Sequence, residues 1–248
     1  MISKNKIKFL KSLNLLKFRF KHNMFKVEGW KSLKEFLESD YKLVSVFATP
    51  NWLAKNDLVV DNIEQIKQKD LVSVSSLKTP SQIIGVFEKK SFELDVNSLE
   101  NQVSVFLENV SNPGNLGSIM RTCDWFGVNQ IICSNQSVDM YNPKVVQSSM
   151  GSLSRVSIKY VDVNDFFSIL KQKNIFTLVA DLNGQNVFNQ NKLSNGIICF
   201  GNESRGVSGK LKKIASQKIT IPKKTKTCES LNLSVSFGII ISQLLTSK

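Results

Sequence analysis

Asn115, Arg121, Glu203, Ser230 and Asn232 fall in three short islands of the 248-residue chain. The islands are Asn112-Pro-Gly-Asn-Leu-Gly-Ser-Ile-Met-Arg-Thr122, Gly201-Asn-Glu-Ser-Arg-Gly-Val207, and Ile221-Pro222 leading to Ser230-Leu-Asn-Leu-Ser234. Each lies where an apolar run gives way to a polar turn or a helix, which is where open α/β sheets gather their ligands. The three are therefore expected to converge on one site. Asn115 is placed to cap a helix whose apolar stripe runs Leu116, Ile119, Met120, Cys123 and Phe126, and Arg121 falls off that stripe. A guanidinium on the exposed side of such a helix can grip a phosphate bidentately; taken alone it is also a solvated surface charge. Gly201 and Gly206 around Glu203 allow a ligand to approach the backbone, or simply make a tight turn. Their spacing is not the glycine fingerprint of a dinucleotide-binding turn. Ser230 and Asn232 open the last helix, where such side chains commonly serve as caps.

Several chemistries are excluded by what the islands lack. The only histidine, His22, is far in sequence from all three, so the base that a Ser-His or Cys-His nucleophile requires is missing. No grouping of His with carboxylates suggests metal hydrolysis. Cys123, Cys133, Cys199 and Cys228 are widely separated without C-x-x-C spacing, which points to a reduced, cytoplasmic protein without zinc or disulfides. What remains is chemistry by positioning, with weak acid/base help from Arg, Glu, Ser and Asn.

The elements that must position these residues alternate along the chain. Residues Ile7 to Lys21 fit one basic amphipathic helix, followed by a short strand at Met24–Val27 ending in Glu28-Gly29. A helix at Ser32–Ser39, a strand at Leu43–Ala48, a helix from Asp61, and strands at Leu71–Val74 and Ile83–Phe87 complete a small α/β module. The polar stretch Glu88–Asn101 marks the expected boundary, dividing residues 1–95, with a basic arm over 1–22, from residues 101–248. In the second half, strands are expected near Val103–Leu107, Val128–Cys133, Ile175–Ala180, Ile197–Phe200 and Ile219–Ile221, with helices between most of them and a final helix from Leu231 to Leu245. That rhythm implies a mainly parallel sheet covered on both faces. No apolar run is long enough to span a bilayer and no signal peptide is visible.

Charge adds a partner class. The net charge of +13 is concentrated in two fields: residues 1–26 and residues 204–228 each hold eight Lys or Arg and no acid. Such fields attract a polyanion through counterion release, although a lysine-rich composition alone would also produce them.

Together, in order and spacing, the islands resemble the three motifs of the SpoU (TrmH-like) branch of the SPOUT RNA methyltransferases, N-P-x-N-x-G-x-x-x-R-T, G-x-E-x-x-G and I-P leading to S-L-N-x-S-V. The resemblance covers residues from about 101 to 248. It extends to Asn142-Pro-Lys-Val-Val-Gln-Ser-Ser-Met-Gly151, similar to the family's helix between the first two motifs, with Asn142 as cap, Pro143 at the first helical position and Gly151 at the exit. Phe25-Lys-Val-Glu-Gly29 resembles the ribosomal-protein-L30-like substrate-binding domain that precedes many members.

The resemblance implies an α/β fold with a C-terminal trefoil knot, a rare exception to unknotted topology. It implies methyl transfer from S-adenosyl-L-methionine to a ribose 2′-OH of RNA by a homodimer, with ribosomal RNA, of the large subunit, favoured over transfer RNA. On the same ground Gly201, Ile221 and Leu231 would bind the cofactor. Arg121 would be the central catalytic residue, Asn115 would support it, and Glu203, Ser230 and Asn232 would complete the site; no metal is expected. The loop Lys223-Lys-Thr-Lys-Thr-Cys-Glu229 departs from the family pattern in lacking its usual Met and Gly. Two other readings stand beside this one: a non-catalytic RNA-binding protein of the same fold, and a ligand-binding α/β protein whose basic surface reflects composition.

Overall fold

Strands Met24–Glu28 (β1), Leu43–Ala48 (β2), Ile63–Gln65 (β3) and Ile83–Glu88 (β4) are rich in the β-branched and aromatic residues that suit a pleated surface. In the computed structural model, which describes residues 2–225 and 227–246, they form a sheet in the order β1-β4-β2-β3. β4 pairs antiparallel with β1 and β2, and β3 adds in parallel to β2. At Gly85 in β4 a Cβ would meet Leu33 Cδ1 at 2.4 Å, so the missing side chain is what lets helix Trp30–Leu37 lie on the sheet.

Three expectations for this region are corrected. The basic arm is not one helix but two, Lys4–Ser12 and Leu16–His22. The buried Arg19 holds the break between them: its Nη1 donates to the carbonyls of Leu13 and Asn14 at 3.0 Å each, while Nε and Nη2 bind Asp139 Oδ2 at 3.0 and 2.8 Å. The segment after Asp61 is strand β3 rather than helix, recruited by the edge of β2, where Val46 N–H donates to Asn62 O at 2.7 Å. Leu71–Val74 is the end of helix Gln68–Val74 rather than a strand. The two buried residues, Leu71 and Val74, are three apart, which places them on one helical face.

The second sheet contains Val103–Leu107 (β5), Gln130–Ser134 (β6), Ser157–Val161 (β7), Thr177–Asn186 (β8), Gly196–Phe200 (β9) and Gln217–Thr220 (β10), in the order β10-β8-β9-β5-β6-β7. Every pairing in it is parallel. β6 and β9 are buried at every residue, as strands covered on both faces must be. β7, which the sequence pattern did not signal, forms the far edge. The opposite edge is irregular: Lys218 pairs with Val179, but Ile219 pairs with Gln185. Residues 180–184 of β8 therefore leave the ladder, which resumes at Gln185; beside it, a Cβ on Gly184 would lie 2.4 Å from the Ile219 carbonyl carbon.

The chain forms two compact units. One runs to Ser91 and includes Asp139–Arg155; the other holds Phe92–Val138 and the chain from Val156 onward. Helix Pro143–Ser149, capped by Asn142 Oδ1 on Lys144 N–H at 2.9 Å, thus belongs with the first sheet. It exits through Met150 and Gly151, both with positive φ.

Candidate active site

Asn112, not Asn115, caps helix Pro113–Trp125: its Oδ1 accepts from the N–H groups of Gly114 and Asn115 at 2.8 and 3.3 Å. The correction follows from Pro113, which occupies the first helical position where a missing N–H costs nothing. Asn115 is thereby freed for another task. It is 6% exposed; its Nδ2 donates to Glu203 Oε1 at 3.0 Å and its Oδ1 accepts from Asn232 Nδ2 at 3.1 Å. One residue from each island is joined in a single chain, Asn232 to Asn115 to Glu203.

Each end of that chain has further anchors. Asn232 Oδ1 accepts from Ser234 N–H at 2.9 Å, which caps the final helix Leu233–Thr246 while leaving the amide nitrogen for Asn115. Glu203 also accepts from Asn112 N–H at 3.3 Å, Ser111 Oγ at 3.4 Å and Asn202 Nδ2 at 3.4 Å. Partial burial works to raise the Glu203 carboxyl, but its own backbone N–H, the Asn115 side-chain amide and the backbone N–H groups of Asn112 and Ser111 prevail, holding it below the ordinary carboxylate range. It is an anionic acceptor at neutral pH. The turn that carries it is closed by paired Asn202 and Gly206 backbone bonds of 3.0 and 2.8 Å. A Cβ on Gly201 would sit 2.1 Å from the Gly206 carbonyl carbon, so only glycine fits there.

These residues border a cavity of about 750 Å³ whose lining includes Gly201, Glu203, Ile221, Ser230, Leu231 and Asn232. That size is within the range of small-molecule sites. Among the described residues, no backbone-to-backbone hydrogen bond engages the segment from Ile221 to Leu231, which leaves main-chain donors and acceptors for a ligand. Lys226, in the departing loop Lys223–Glu229, lies outside the described residues.

Arg121 stands apart. It is exposed on helix Pro113–Trp125 and is not among the residues that line the cavity. Trp125, on the same helix, is 84% exposed, whereas Phe237, Ile240 and Ile241 of the final helix are buried. The cavity also has a wall that the sequence reading missed: Ala180, Asp181 and Leu182, where β8 leaves the ladder. Asp181 Oδ2 pairs with Lys212 Nζ at 2.6 Å. The signal was the polar Asp181-Leu-Asn-Gly184 run directly after an apolar strand.

The site lies at the carboxyl ends of parallel strands with its polar groups held by three separate loops, the place where open α/β folds gather ligands. The model of the SpoU rRNA methylase family matches residues 102–242, more than half of the chain, and the chain belongs to that family. The model of the MRM3-like substrate binding domain matches residues 4–85. The chain is 25% identical over 241 residues to the 23S rRNA (guanosine(2553)-2'-O)-methyltransferase RlmP of Bacillus subtilis, covering 96% of this chain and 95% of that protein. It is 30% identical over 148 residues to an uncharacterized tRNA/rRNA methyltransferase of Borreliella burgdorferi, covering 58% of this chain and 64% of that one. Among solved structures, a TrmH-family protein from Porphyromonas gingivalis superposes with a TM-score of 0.86 at 30% identity, covering 99% of this chain and 98% of that one. An AdoMet-bound rRNA methyltransferase from Sinorhizobium meliloti, 23% identical with a TM-score of 0.86 and coverages of 98% and 95%, shares the fold.

Proposed function

We propose that this protein is an S-adenosyl-L-methionine-dependent RNA 2′-O-ribose methyltransferase acting on large-subunit ribosomal RNA in the cytoplasm, working as a homodimer with its C-terminal segment threaded as a trefoil knot. The observation that carries the reading is the Asn232–Asn115–Glu203 chain at the rim of a cavity lined by Gly201, Ile221 and Leu231. The residues fit the cofactor: an open cavity of adequate size, a tight glycine turn, a segment from Ile221 to Leu231 that makes no backbone-to-backbone bond among the described residues, and the apolar side chains of Ile221 and Leu231 for a nucleoside. The cofactor supplies an already activated methyl group, so the protein's part is to align the ribose 2′-oxygen and ease the loss of its proton.

Glu203 and Asn115 fix the relative positions of the first two islands, and Asn232 fixes the third. Ser230 is exposed beside the cavity, available to a ribose or to the cofactor. Arg121 presents a guanidinium fork of donors with no acceptor; it serves to hold an RNA phosphate and to offset charge growing on the 2′-oxygen. Its place outside the cavity suits a dimer, where a partner copy brings the two together, and Trp125 on the same helix is the exposed apolar anchor for that contact. The two-domain reading, substrate recognition before residue 95 and catalysis after residue 101, belongs to the same proposal.

Calorimetric titration with S-adenosyl-L-methionine, together with mapping of ribose methylations in RNA from a strain lacking the gene, tests it. Binding with loss of one large-subunit ribose methyl group is expected. Absence of heat would leave an RNA-binding protein of this fold, and a methyl group lost from transfer RNA would move the substrate.

A further inference from the structure

The first compact unit exposes an aromatic ring in an unusual setting. Phe20, on helix Leu16–His22, is 66% exposed. The ammonium of Lys89 lies 3.9 Å from its ring centroid, and Lys89 is itself tethered through its N–H to Asn23 O at 2.9 Å. One face of the ring is thus backed by a cation, which fixes its direction; the high exposure leaves the remaining surface to solvent. One turn earlier on the helix, Leu16 is 49% exposed. Lys17 and Lys21 form the adjoining stripe, both exposed, and among the described residues neither has a carboxylate partner.

A single exposed phenylalanine is ordinary. A phenylalanine with an apolar neighbour, one ammonium against its ring and two further exposed lysines on its helix, one of them over the adjoining Phe18 ring, is what a single-stranded nucleic acid engages, because it offers base faces and phosphates together. A duplex hides its base faces in the stack and presents only phosphates and groove edges. Self-association through this face is disfavoured by charge, since residues 1–26 hold eight Lys or Arg and no acid.

We infer that Phe20, with Leu16 beside it and Lys17, Lys21 and Lys89 around it, is a stacking platform for an unpaired base of the substrate RNA. The inference rests on the RNA methyltransferase reading for the identity of its ligand and narrows that ligand to RNA with an unpaired segment.

The test uses the full chain, a labelled oligouridine of about twelve nucleotides and an RNA duplex of similar length. Phe20→Ala should weaken oligouridine binding about tenfold, or ~1.4 kcal/mol, within the ~1–3 kcal/mol that a stacked base contributes. The salt dependence should stay unchanged, because no charge is removed. Phe20→Trp should retain wild-type affinity, and duplex binding should change less than about twofold in either variant. Lys17→Ala with Lys21→Ala should weaken both ligands and flatten the salt slope. Equal loss on the duplex, no loss with Phe20→Ala, or a change of sedimentation mass with Phe20→Ala would each overturn the platform, the last by showing a protein contact. Wild-type protein that binds neither RNA nor S-adenosyl-L-methionine would instead sink the methyltransferase reading, a result separate from failure of Phe20 alone.

Discussion

Glu28 and Glu203 are held by similar means in different surroundings. Glu28, on β1, accepts from Ser75 Oγ, Ser76 N–H and Ser76 Oγ and faces the buried ammonium of Lys26 at 3.4 Å. Glu203 accepts from Ser111, Asn112, Asn115 and Asn202. Both carboxyls are driven upward by burial and brought below the ordinary range by their partners, Lys26 and the two serines in one case and backbone N–H groups with the Asn115 amide in the other. The first cluster opens on a void of about 10 Å³, room for a single water. The second borders about 750 Å³. A satisfied buried carboxylate is therefore not a functional signature by itself; the space it faces separates an anchor from a site.

The largest expected effect breaks the first cluster. Glu28→Gln leaves Lys26 buried without a counter-charge, and removing one partner of a buried pair costs about 3–5 kcal/mol. Denaturant unfolding should show that loss, while the double variant Lys26→Met with Glu28→Gln should recover most of it. A single variant as stable as wild type would mean that the serines, not Lys26, define the anchor. Arg121→Ala comes next. Turnover should fall at least about 100-fold, or ~2.7 kcal/mol, with cofactor affinity near wild type because Arg121 does not line the cavity. Retained activity would remove Arg121 from the chemistry.

Asn232 sharpens the second cluster at a smaller scale. Asn232→Ala deletes both a helix cap and the donor to Asn115, costing about 1 kcal/mol of stability and most of the turnover. Asn232→Ser keeps a capping oxygen but cannot reach Asn115, so it should restore stability and not turnover. If serine restores both, the bond to Asn115 contributes nothing to catalysis.

How much of this was legible from residues follows the range of the interactions involved. The Glu203 turn is a local feature that follows a strand, and its glycines marked it, whereas Ile221 and Leu231 were singled out by the family resemblance; the parallel sheet followed from buried runs such as Ile197–Phe200. Asn115 was marked as important but for a capping role that Asn112 performs, because Pro113 shifts the helix start and the real partners, Glu203 and Asn232, lie 88 and 117 residues away. The break in the basic arm was invisible for the same reason: Arg19 reads as a surface cation until Asp139, 120 residues on, is placed beside it. Leu71–Val74 was too short for its period to separate strand from helix. The wall at Ala180–Leu182 depends on a register jump between β8 and β10, of which the polar Asp181-Leu-Asn-Gly184 run marks only the place and not the partner.

The smallest effect distinguishes the two glutamates by acid titration. Each folded-state pKa is depressed, so each carboxylate contributes stability that is complete above the unfolded value, near 4.5, and disappears as pH falls through the folded one. Wild-type unfolding free energy should therefore decline with acid below about pH 4.5. The Glu28 side chain is 5% exposed, whereas Glu203 is only partly buried and its hydrogen bonds are weakened by solvent. Measured by denaturant unfolding across pH 3 to 6, Glu28→Gln should flatten the acid decline more than Glu203→Gln does. The Glu203 variant should keep nearly the wild-type slope while losing turnover at neutral pH. An equal flattening in both would show that the carboxylate at the cavity is as much a structural anchor as the one enclosed beneath helix Pro143–Ser149.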